Sequence, residues 1–172
     1  MRNFAFIDSN NLHLGIRDQG WTLDYRRFRE YLRAKYDVVR AYMFMGYVPH
    51  QQKLYAFLEA AGFIVIFKKT SGFGATLKGN CDAELVLRAM IDFAHYKSAI
   101  IVTGDGDFAC LVEYLREQGK LRCLIAPDGR RCSILLKDAA QKYFASLNKL
   151  RIKLEVMKRT PVGWDRVGDF SS

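Results

Sequence analysis

Hydrophobic positions along this chain switch repeatedly between two periods. Residues 3–8, 38–45, 63–67, 100–103 and 121–126 are short, nearly unbroken apolar or β-branched runs. Such runs read as strands buried on both faces, the pattern of a parallel sheet. Between them apolar residues recur three and four apart, the helical period. Phe28, Tyr31 and Leu32 follow an Asp24 cap, and Leu54, Tyr55, Phe57, Leu58 and Ala61 lie between Pro49 and Gly62. Leu85, Val86, Ala89, Met90 and Phe93 follow a helix start at residues 80–84, and Phe108, Leu111, Val112 and Leu115 precede Gly119. A last helix is expected over residues 133–147, through Ile134, Leu135, Ala139, Tyr143 and Phe144. Five strands alternating with helices predict an α/β fold, with a central, mostly parallel five-stranded sheet covered on both faces. It forms one domain over residues 1–150, and residues 151–172 read as a basic, loosely ordered C-terminal extension.

Two of the apolar runs end in acids. Residues 100–103 lead into Gly104-Asp105-Gly106-Asp107, and residues 3–8 end on Asp8, followed by Ser9-Asn10-Asn11, which reads as a turn. Gly104 and Gly106 are expected to take backbone conformations that other residues resist. In open α/β sheets the carboxyl edge of the strands is where ligands bind. Each acid alone has a structural reading: Asp107 as a helix cap, Asp105 as a turn residue, Asp82 as a partner of a helix dipole. Together they read as one acidic pocket. Two like charges 4 Å apart cost about 4 kcal/mol at the effective dielectric of a protein surface, so such a pocket takes up protons or holds a cation. Oxygen-only ligands suit Mg²⁺ or Mn²⁺. One or two such ions would supply an acidified water and charge neutralisation for phosphodiester hydrolysis.

Charge points the same way. Lys and Arg outnumber Asp and Glu by 27 to 18 in 172 residues, a net +9, which favours polyanions and nucleic acid before membrane. Residues 68–79 form a long Gly-rich loop in which Lys68, Lys69 and Lys78 surround Phe73, suited to contact with a phosphate backbone and to stacking on a base. The arginines at 26, 27, 29 and 33 read as a solvated helix face. Cys81, Cys110, Cys123 and Cys132 include no CxxC pair; Cys110 and Cys123 fall in apolar segments, as buried thiols of a reducing, cytoplasmic compartment would. His13, His50 and His95 are too scattered for zinc. No signal peptide or membrane span is expected. Phosphate-binding GxxxxGK[ST], dinucleotide-binding GxGxxG after a first strand, and GxSxG are all absent from the sequence.

Three segments carry a family resemblance: Phe6-Ile7-Asp8-Ser9-Asn10-Asn11-Leu12, Lys78-Gly79-Asn80-Cys81-Asp82-Ala83-Glu84-Leu85, and Thr103-Gly104-Asp105-Gly106-Asp107-Phe108. In order and spacing they resemble the NYN domain of the PIN-like nuclease superfamily, in its bacterial LabA-like branch. The resemblance implies a three-layer α/β/α PIN-like fold and metal-dependent ribonuclease activity on RNA. Asp8, Asp82, Asp105 and Asp107 would be the catalytic, metal-binding acids, with Asn11 and Thr103 in support. Relatives often carry a further acid where this chain has Arg88. Glu84 is the nearest substitute, although a step of two residues turns a side chain to another part of a helix. A catalytically weak RNA-binding or regulatory module is therefore the alternative, and a small phosphatase or nucleotidase the third reading. Domains of this kind often pair, so a homodimer is also an expectation.

Overall fold

The computed structural model describes residues 2–68 and 81–157. Six strands, β1 (Asn3–Asp8), β2 (Val38–Met45), β3 (Ile64–Phe67), β4 (Ala99–Val102), β5 (Leu121–Ala126) and β6 (Phe144–Ser146), form one sheet in the order β3-β2-β1-β4-β5-β6. Every pairing is parallel. The chain lays down β1, β2 and β3 towards one side, then returns to place β4, β5 and β6 on the other. The order thus reverses between β1 and β4, and a crevice opens outside the carboxyl ends of strands at such a switch point.

Flanking the sheet are α1 (Ser9–Arg17), α2 (Tyr25–Tyr36), α3 (Gln52–Ala60), α4 (Asp82–Ile91), α5 (Ala109–Glu117), α6 (Ile134–Ala140) and α7 (Arg151–Leu154). The strands' period of two sorts the core into two layers. Ala5, Ile7, Ile100 and Val102 join Leu12, Ile16, Phe28 and Leu32 on one face. Phe4, Phe6, Tyr42, Phe44 and Ile101 join Leu85, Ala89, Tyr96 and Leu111 on the other. The second layer is aromatic at its centre: Phe6 stacks on Tyr42 with centroids 5.5 Å apart and meets Tyr96 edge-on at 5.6 Å. The Tyr96 hydroxyl donates to the carbonyl of Ala89, 3.0 Å away, so its one polar atom is satisfied.

Two elements depart from the expected pattern. The turn expected after Asp8 is the first turn of α1: the Asp8 carboxylate caps it, and Leu12 and Ile16, four apart, are buried. The expected five-stranded sheet has six strands because the helix over 133–147 stops at Ala140. Gln141 takes a left-handed conformation (φ 49°), which breaks the helix, and Phe144–Ser146 then pair with Leu124–Ala126 of β5. The paired segment is too short for its own period to identify it.

Smaller corrections concern single side chains. Cys110 is exposed, not buried, whereas Cys123 is buried as expected, and none of the four cysteines forms a disulfide. Arg29 does not belong to a solvated face; its guanidinium donates to the carbonyls of Gly62, Val38 and Val39 and ties α2 to the starts of β2 and β3.

The region after residue 150 begins with chain that packs on the domain. Leu154 of α7 is fully buried, its carbonyl accepts from the amide of Asp24 at 2.8 Å, and the amide of Val156 donates to the carbonyl of Thr22 at 3.0 Å. Residues 158–172 lie outside the described residues. Truncating Leu154 to Ala should lower the unfolding free energy by about 2–5 kcal/mol in urea titration, as for other fully buried leucines. A loss below about 0.5 kcal/mol, typical of a surface position, would contradict this docking.

Candidate metal centre

Strand geometry brings the acids together. β1 and β4 are neighbours, paired from Phe4 with Ala99 to Ile7 with Val102, so Asp8 and Thr103 leave the sheet side by side. The Thr103 hydroxyl is wholly buried, donates to Asp8 Oδ2 at 3.1 Å, and accepts from the amide of Asp105 at 3.2 Å. Asp8 Oδ1 accepts from the amide of Asn11 at 3.1 Å, and Asn11 Oδ1 accepts from the amide of Gly104 at 2.7 Å. Two hydrogen bonds, Thr103 to Asp8 and Gly104 to Asn11, therefore lace the turn after β1 to the turn after β4, and the other two brace each turn internally. Asp105 caps the single turn of 3₁₀-helix Gly106–Phe108 by accepting from the amide of Asp107 at 3.1 Å.

The glycines of this turn serve a different purpose from the one expected. Neither Gly104 nor Gly106 has a positive φ. What Gly106 provides is space, since a Cβ there would stand 2.6 Å from Ser133 Oγ and 3.1 Å from Ser133 Cβ. The close approach of α6 to the turn holds Asp105 and Asp107 in place.

Asp82 enters from the first turn of α4. One carboxylate oxygen from each of Asp82, Asp105 and Asp107 lies within 4.8 Å of the others. Asp8 sits behind this trio: burial pushes its carboxyl above the ordinary value of 3.8, the bonds from Asn11 and Thr103 pull it back, and the negative charges of Asp82 and Asp105 push it up again. Asp8, Asp82 and Asp105 all line one groove of about 810 Å³, whereas Asp107 is exposed at its edge. Ligand oxygens stand about 4.2 Å apart across an octahedral ion with bonds of 2.1 Å. The trio's oxygens, within 4.8 Å of one another, are close enough to share one ion. The donor set is oxygen only, and mutual repulsion among the acids is what a divalent cation relieves, so these residues fit Mg²⁺ or Mn²⁺.

The remaining expected residues divide. Asn11 and Thr103 are in direct contact with the acids, as described. Glu84 does not line the groove; its Oε2 is buried and has no hydrogen-bond partner among the described residues. Arg88 is also outside the groove, its guanidinium 5.6 Å over the Tyr42 ring and 3.9 Å from Asp92. Lys68 directly follows β3 and lies beside Cys81, which lines the groove; burial, reinforced by Glu84, pushes that thiol up to about 11. Lys69, Phe73 and Lys78 lie outside the described residues. Sequence reasoning missed His13, Tyr25 and Gln51, which also line the groove. His13 would have followed from recognising α1, whose N-terminal half forms one wall. No helix among the described residues is long and apolar enough to cross a membrane.

Comparison with known proteins bears on the family and the fold. The NYN domain family profile matches residues 4–148. The Low amplitude and bright protein LabA of Synechococcus elongatus is 28% identical over 165 residues, 90% of this chain and 88% of that one. The crystal structure of a Vibrio parahaemolyticus protein of unknown function superposes with a TM-score of 0.75 at 24% identity, over 90% of this chain and 96% of that one, and shows the same fold.

The raised Asp8 carboxyl has a signed consequence for the metal-free protein. Its contribution to stability is intact below pH 3.8 and is lost as pH rises through the higher folded-state value. Asp8→Asn retains a side-chain oxygen for the α1 cap and cannot ionise. Its melting temperature relative to wild type in EDTA should therefore rise between about pH 4 and about pH 7. A relative melting temperature that falls over this interval would contradict the assignment.

Proposed function

Given that the chain belongs to the NYN domain family, whose members are nuclease-like, we propose that it is a divalent-metal-dependent endoribonuclease of single-stranded or structured RNA. The carrying observation is the trio Asp82, Asp105 and Asp107, with oxygens within 4.8 Å of one another at the switch point of the sheet. In this reading Asp8, Asp82, Asp105 and Asp107 hold one or two ions of Mg²⁺ or Mn²⁺. When bound, such an ion acidifies a water molecule and neutralises charge on the scissile phosphate.

The chain's own groups set the geometry. Thr103 fixes the Asp8 carboxylate and the Asp105 backbone at once, so two acids from different strands keep one relative placement. Asn11 holds Gly104, and with it the start of the acidic turn. The groove wall formed by α1, Phe44 and Gln51 gives the strand a path to the acids, and in this reading Lys68, with Lys69, Phe73 and Lys78 of the sequence that follows it, guides the strand. Water oxygen bonds to phosphorus as the phosphorus–3′-oxygen bond breaks, and the 3′ oxygen takes a proton. The products carry 5′-phosphate and 3′-hydroxyl ends.

The test is cleavage of labelled RNA by purified protein with Mn²⁺ and with EDTA. Cutting should require the metal and disappear in Asp105→Asn, which retains the turn's acceptor for the amide of Asp107. Cutting by the variant at the wild-type rate, or RNA binding with no cutting by the wild type in Mn²⁺, would refute the enzymatic reading; the latter would favour the RNA-binding module. Free nucleotides and chromogenic phosphate esters should be poor substrates. Thr103→Val, which keeps shape and removes the hydroxyl, should lower the cleavage rate by about 10–100-fold, the usual effect of losing a partner that orients a ligand. An unchanged rate would show that the hydroxyl has no part in placing the acids.

A further inference from the structure

A second groove, of about 720 Å³, opens at the same edge of the sheet, around the carboxyl ends of β5 and β6. Its charge is the reverse of the first. Arg130, Lys137, Lys149 and Arg151 line it around Trp21 and Phe144, with no acid among the lining residues. Among the described residues the acidic groove has three carboxylates in its lining and no lysine or arginine.

The floor of the basic groove is fixed by hydrogen bonds. Asn148 accepts from the amide of Gly129 at 2.8 Å and donates to Asp128 Oδ1 at 2.8 Å and to Gln19 Oε1 at 3.0 Å. Gln19 donates in turn to the carbonyls of Gly15 and Pro127. Buried Asp128 holds the Arg130 guanidinium at 3.2 and 3.3 Å, and Glu155 holds that of Arg151 at 3.0 Å through both oxygens. Arg130, Lys149 and Arg151 are exposed, and Lys137 is partly so. No cation is sunk in the floor to bind one small anion; the charges are spread along an open surface, an arrangement that suits a succession of phosphates.

The two grooves are joined by α1. Asn11, in its first turn, lines the acidic groove, and Gln19, just past its C-terminus, lines the basic one. Eight residues at 1.5 Å each put them about 12 Å apart. The sheet returns a similar figure, since β4 and β6 are two strand spacings of about 4.8 Å from each other. At 3.4 Å per stacked nucleotide that is about three nucleotides. Gly15 lets α1 lie directly on the loop between the grooves, where a Cβ would meet Pro127 Cβ at 2.7 Å.

We propose that the basic groove formed by Arg130, Lys137, Lys149 and Arg151 is the docking site for the RNA backbone, about three nucleotides along the strand from the phosphate at the acidic centre. The inference rests on the RNA reading above and adds where the strand is held. Acids that repel a polyanion need attraction from the same strand a short distance away, and the groove supplies it.

The test measures binding, not cutting. A fluorescent single-stranded RNA of about twelve nucleotides is titrated in EDTA across a range of salt, with anisotropy as readout. Removing two phosphate contacts in Lys137→Ala/Lys149→Ala should reduce the slope of log affinity against log salt by about 1.4 and weaken binding about 20-fold near 0.1 M salt. Lys97→Ala, at the opposite, amino edge of the sheet, should leave both unchanged. Lys149→Glu, a single exposed change, should weaken binding at least as much per site, with melting temperature as the folding check. Wild-type affinity and slope in the double variant, or an equal loss in Lys97→Ala, would overturn the proposal. If the wild type cuts RNA while the groove variants bind normally, only the groove assignment fails. If the wild type neither binds nor cuts RNA, the functional reading has failed and the groove assignment with it.

Discussion

One buried hydroxyl joins the two halves of the sheet where its strand order reverses. Thr103 donates to Asp8 and receives the amide of Asp105, so the acid ending β1 and the acid following β4 are positioned by a single group. Thr103 is fully buried, and its bonds are made away from water, where each is worth more and its loss leaves a partner unsatisfied. The Asn11 bond to Gly104 repeats this lacing one residue further out. Without these contacts the carboxylates would be free to separate in response to their own repulsion. With them, Asp8 remains beside Asp82 and Asp105 and its carboxyl is pushed upward by burial and by its neighbours. A folded chain that keeps acids in such proximity is arranged for a cation.

Charge elsewhere on the molecule complements that demand. A net +9 favours polyanions, and among the described residues the acidic groove has no lysine or arginine in its lining. In the proposed reading, attraction for a polyanion comes also from the basic groove beyond β5, on the same edge of the sheet. In that reading the acids keep their charge for an ion while a strand is held close by.

Much of this was legible in the sequence, for identifiable reasons. Asp8 and Asp105 follow apolar runs that are fully buried at adjacent strands, so strand order alone carries them to one place. Asp82 was harder, because a first-turn acid is ordinary on any helix, and only the fold brings it within 4.8 Å of Asp105 and Asp107. What escaped notice depended on contacts distant in sequence. Ser9-Asn10-Asn11 are turn formers, yet the Asp8 cap and the burial of Leu12 and Ile16 make them helical. β6 is three residues long and exists only by pairing with β5. Gly106 was read as backbone freedom and proves to be clearance for Ser133. The basic groove draws cations from the loop after β5, from α6 and from residues 149–151; only the last group was legible, as the start of a basic extension.

The central claim is that acids from β1, α4 and the turn after β4 form one divalent-cation site. Its most direct test is a Mn²⁺ titration of the purified protein followed by electron paramagnetic resonance, which counts free ions without reference to any substrate. The account predicts saturable binding by wild type, weakened in Asp8→Asn and in Asp105→Asn alike. Binding that both variants retain at wild-type strength, or a wild type that takes up no Mn²⁺, would contradict it.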